Sequence, residues 1–167
     1  MTMLWTAKLR SDEGGSALVE GAVLLPLLIV LFLGVFEFSW FFYQQHVVST
    51  GLRDGARYLA RVAGACEPIA AWSNAEADAR NLATTGSIYG GPPRVRGWTQ
   101  QMVSTFCTSV ANPVAADGLP AYRGGRAIFV VTLSTRFSDP SLGFFSLLRL
   151  DPPAISVTHS ERVIGPG

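Results

Sequence analysis

Glu20 is the residue whose type and setting raise the sharpest chemical question. It opens an apolar run within DEGGSALVEGAVLLPLLIVLFLGVFEF, residues 12–38. A carboxylate inside hydrocarbon costs a few kcal/mol on insertion scales, so an acid at this point needs compensation. Two chemistries supply it. A cut after Gly15 would make Ser16 the first residue and Glu20 the fifth. The new α-amine, cationic at neutral pH, could pair with Glu20 of an adjacent helix through a charge-assisted hydrogen bond. Alternatively, Ser16 caps a helix and Glu20 is an ordinary acid near its positive end.

Other charged positions are spaced for contact rather than catalysis. Glu37 follows Glu20 by seventeen residues, which on a helix separates the carboxylates by about 25 Å and puts them near opposite faces of a bilayer. Glu37 reads as a snorkelling interfacial acid or as a contact to a neighbouring helix. Arg53, Arg57 and Arg61 recur every four residues, forming one stripe that is either solvated or docked on acidic groups. His46 and His159 are isolated, and neither Cys66 nor Cys107 has a second ligand close in sequence, so no metal is expected. Gly90 and Gly91 precede two prolines and do not form a phosphate loop. G-x-S-x-G and H-E-x-x-H are absent. His159 and Glu161 alternate onto one strand face, and Glu161 and Arg162 read as a solvated edge. The expectation is a chain that is not an enzyme and carries no cofactor.

These residues need elements to position them. Hydrophobic residues are 49% of the 167 and charged residues only 15%, and the apolar excess is local. Residues 21–43 hold Glu37 as their single charge and are long enough to span a bilayer core. Trp40, Tyr43, Gln44, Gln45 and His46 mark its exit, an interfacial composition. Lys8 and Arg10 precede the run, favouring an inside N-terminus. The bulky aromatic exit lacks a small-residue cleavage site, which argues against removal of the whole segment as a secretory signal. With a net charge of +1 and no basic run, nucleic acid is not an expected partner; membrane lipid is.

Helical patterning continues past the membrane. Leu52, Ala56, Leu59 and Ala63 share one face, and a helix from residue 16 to about 63 would be near 70 Å long. Beyond it, Ser73 or Asn74 could cap a short helix to Thr85 closed by Gly86. Residues 95–110 suggest a hairpin or strand pair. AIFVVTLSTRF, residues 127–137, is the clearest strand, with Val131, Leu133 and Thr135 on one side. Residues 143–150 form a short apolar segment, and residues 154–164 read as a closing strand. The predicted fold is α+β, pilin-like: a long N-terminal helix packed on three or four antiparallel strands.

Gly15–Ser16 with Glu20 five residues on resembles the processing site of type IV prepilin-like proteins. More narrowly, GGSALVEGAVLLPLL, GVFEF and GLRDGARYLARV resemble the TadE-like pseudopilins of tight-adherence (Flp) pilus systems. The resemblance implies a leader at 1–15, a long helix at 16–64 with a transmembrane segment at about 21–43, and an extracytoplasmic domain at 65–167. It also implies a single-pass protein of the bacterial inner membrane, N-terminus inside and domain outside. Its expected partners are a prepilin peptidase, a sister pseudopilin, the major Flp pilin and the inner-membrane assembly platform. In that oxidising compartment Cys66 and Cys107 could form a bridge; two free buried cysteines are the alternative. Rival readings are a signal-anchored binding module, with Gly15 uncut, and a pseudopilin of a secretion system.

Overall fold

The computed structural model describes residues 13–67, 69–122, 125–139, 143, 145 and 149–164. Lys8, Arg10, most of the expected leader, Pro68 and most of the apolar segment at 143–150 lie outside the described residues. The chain divides into two units, Met1–Trp40 and Phe41–Gly167.

Helix α1 runs over Glu13–Leu59 and continues through Pro26. It begins before Ser16, so Ser16 is an interior helical residue and not the N-cap. The first unit holds the apolar part of α1. Its aliphatic and aromatic side chains, Leu25, Phe32 and Phe36 among them, are exposed. By length and composition α1 is able to cross a membrane.

The second unit has its own core. Val48, Leu52, Ala56 and Leu59 of α1 are each 0% exposed, following the three- and four-residue spacing of one helix face. Helix α2, Ala70–Thr85, places Trp72, Ala75, Ala79 and Ala83 on its buried side. Three strands complete the core: β1 Val103–Ala111, β2 Ala127–Phe137 and β3 Ile155–Arg162. They pair antiparallel in the order β1-β2-β3. Val131, Leu133, Thr135 and Phe137 are buried at alternate positions, the period of two that a half-covered sheet requires. The fold is α+β, with the distal part of the long helix packed on a small antiparallel sheet.

Three expectations need correction. The helix stops at Leu59 rather than near Ala63, and Ala63 is exposed. The chain tightens there through i−3 bonds, Arg61 N to Tyr58 O and Val62 N to Leu59 O. The Ala60 carbonyl accepts from Ile164 at the end of the chain, and Gly64 and Cys66 adopt positive φ, which ends helical geometry.

Helix α2 begins after Ile69 with no side-chain cap, so Ser73 and Asn74 lie inside it. Its end is as expected: Gly86 takes φ 85° and donates to Leu82. Residues 95–110 are not a hairpin. Only β1 and a 3-10 turn at Gln100–Met102 are regular there. Trp98 explains this: it is fully buried, and its Nε1 donates to Thr135 Oγ1 at 3.0 Å. Burying that indole beside Phe137 takes this stretch out of any strand ladder.

Candidate functional site

The residues singled out by sequence fall in three places. The first is the start of α1. Gly15 and Glu20 are exposed, and the apolar Val19, Val23 and Leu24 lie beside them. A Cβ built on Gly15 would meet nothing within 4 Å, so packing does not demand glycine there. Glu20 is seven residues into the uncut helix, beyond the first turn where the dipole acts on an anion. Glu37, further along the same helix, is half-buried.

The second place is the R-x-G-A-R box, which the fold separates into outward and inward positions. Arg53 and Arg57 are exposed, whereas Gly55 and Ala56 are buried. Asp54 turns to Arg94, whose Nη2 donates to its Oδ2 at 3.0 Å. A Cβ on Gly55 would approach the Ala79 carbonyl oxygen at 2.7 Å and Leu133 Cδ2 at 2.9 Å. A Cβ on Gly51, one turn earlier, would run into the Ala83 carbonyl oxygen. Gly51 and Gly55 therefore let α1 lie against Ala75, Ala79 and Ala83 of α2, small residues facing small residues every four positions. Gly51 escaped the sequence reading, although its spacing from Gly55 matches the alanine spacing of α2.

Arg61 lies past the helix end, so the arginine stripe continues from α1 into the turn. None of Arg53, Arg57 and Arg61 forms an ion pair among the described residues. Beside Arg57, the Tyr58 hydroxyl donates to Asp78 Oδ2 at 3.3 Å. Burial pushes the Tyr58 pKa above its ordinary value of 10.0, and the negative charge of Asp78 adds to the effect.

The third place is the bridge. Cys66 and Cys107 are disulfide-bonded with Cα atoms 5.8 Å apart, which fixes the turn after α1 to β1. His159 and Glu161 meet as well: Nε2 and Oε1 are 3.0 Å apart on the inner side of β3, both residues half-buried. The structure corrects the interfacial reading of Gln44 and adds Asp139, which the sequence did not single out. Both are buried, and Gln44 Nε2 donates to Asp139 Oδ2. The helical spacing of Gln44 from Val48 was the available signal.

The arrangement thus offers an exposed acid and glycine at the head of an apolar helix, an outward arginine row and a cross-linked domain. No curated protein matches the chain, and no solved structure does. A family model described as TadE-like protein matches residues 15–57. That match begins at Gly15, includes Glu20, Glu37 and the R-x-G-A-R box, and ends at Arg57: the N-terminal segment of this chain is TadE-like.

Proposed function

We propose that the protein is a membrane-anchored pseudopilin that supports assembly of a tight-adherence pilus. In this reading it is an assembly subunit and not a catalyst. The observation that carries it is the TadE-like match over residues 15–57. The helix geometry supports it: α1 is long and apolar enough to cross a bilayer. Gly15 is glycine without a packing reason, as expected of a residue kept for recognition by a prepilin peptidase.

The proposed cut after Gly15 falls in the first turn of α1. Opening a terminal turn costs little, because its first amides have no intrahelical partners. The product begins at Ser16, and Glu20 moves from the second turn to within a few residues of a positive terminus. The new amine and the helix dipole then both favour its charge. Assembly would match this acid to the amine of a neighbouring subunit, whether a sister pseudopilin or the major pilin. The domain would lie outside the inner membrane, where the Cys66–Cys107 bridge is stable.

The test is the intact mass of the protein extracted from membranes that contain a prepilin peptidase. The expected product lacks residues 1–15. Gly15→Ala is expected to retain them, and Glu20→Ala to be cut but to lose pilus display. An uncut wild-type chain would instead indicate a signal-anchored binding module.

A further inference from the structure

Arg57 and Arg61 flank a cleft of about 440 Å³ lined also by Asp54, Tyr58, Val62 and Leu82. The acids around it are already engaged. Asp54 pairs with Arg94, and Asp78 accepts from Tyr58. Arg57 and Arg61 are exposed and have no counter-charge among the described residues. The cleft therefore carries two uncommitted guanidinium groups one turn apart over an aliphatic floor.

We propose that this cleft docks an acidic segment of a partner protein. The fitting segment presents two carboxylates one helical turn apart, about 6 Å between their Cβ atoms, with an aliphatic side chain between them. Each guanidinium takes one carboxylate through paired N–H donors. The aliphatic side chain covers Val62 and Leu82. The recess favours a discrete acidic segment over a flat anionic bilayer surface: Val62 and Leu82 line it together with the two arginines, so the ligand must bring an apolar side chain between its charges. The inference stands on the cleft alone and survives if the pilus reading fails.

The experiment uses the full chain in detergent micelles and a labelled helical peptide with glutamates at i and i+4 and leucine between them. Fluorescence anisotropy should show saturable binding that weakens with salt. Arg57→Glu and Arg61→Glu should each weaken it about tenfold, since like charges then meet across the contact. Arg53→Glu lies on the same stripe outside the cleft and should change affinity less than about twofold. A matching peptide with glutamine for glutamate should not bind. Thermal unfolding of each variant should match the wild type.

Three results would overturn the proposal. One is no saturable binding up to about millimolar peptide. Another is an Arg53→Glu loss equal to that of Arg57→Glu, which would mean general attraction to positive charge. The third is displacement of the peptide by phosphatidylglycerol doped into the micelles at matched charge, which would make the cleft a headgroup site.

Discussion

At the scale of single residues, the glycines divide by what surrounds them. Gly15 faces open space, whereas Gly55 is held between the Ala79 carbonyl and Leu133. A side chain at Gly55 must push α2 or the sheet away, and overpacking of this kind costs about 1–3 kcal/mol. Gly55→Leu should therefore lower the unfolding free energy of the second unit by that amount, while Gly15→Leu leaves it unchanged. Equilibrium unfolding followed by tryptophan fluorescence reports this directly, because Trp98 is buried in the same core. The same contrast separates roles that a motif merges. Within R-x-G-A-R the arginines face outward, and Asp54, Gly55 and Ala56 hold the helix in place.

At the scale of elements, the Cys66–Cys107 bridge joins the turn after α1 to β1 across a separation of 41 residues. A loop of that length gives about 4 kcal/mol in the chain-entropy model. Full reduction, or Cys66→Ser with Cys107→Ser, should lower unfolding free energy by that order in a denaturant titration. An unchanged midpoint would mean that the reduced chain retains the same constraint. The elements were legible in sequence where local chemistry and burial agree. Strand β2 is rich in β-branched residues and alternates inward and outward, so its range was read as observed. Leu52, Ala56 and Leu59 announced the buried face of α1 for the same reason. Residues 95–102 were not legible, because one long-range interaction, Trp98 with Thr135 and Phe137, decides their path. The end of α1 was missed on similar grounds: its last carbonyls and turn are set by Ile164 and the bridge. At the proposed processing site, residue types were readable, but the register of the helix start was not.

At the scale of the whole molecule, the two units differ in what covers their apolar residues. The span-capable part of α1 buries nothing within the protein, so its apolar surface calls for an apolar cover such as lipid or detergent. The second unit encloses its own core of residues from α1, α2 and all three strands. Hydrogen exchange in micelles should therefore show two independent responses. Moderate denaturant should release the core amides of 48–59 and 127–137 together, while amides of 20–36 stay protected until the micelle is disrupted. Simultaneous loss in both regions would contradict this independence.

The bridge also determines how the domain bears tension. A pull on α1 travels through the short turn at 60–65 to Cys66, crosses the sulfur–sulfur bond, and enters the sheet at Cys107 opposite Val131. The span from 67 to 106 is bypassed by the covalent part of that path, and α2 feels the pull through its packing against α1 at Gly51 and Gly55. A force on the apolar helix is therefore shared between the covalent cross-link to β1 and the small-residue seam between α1 and α2.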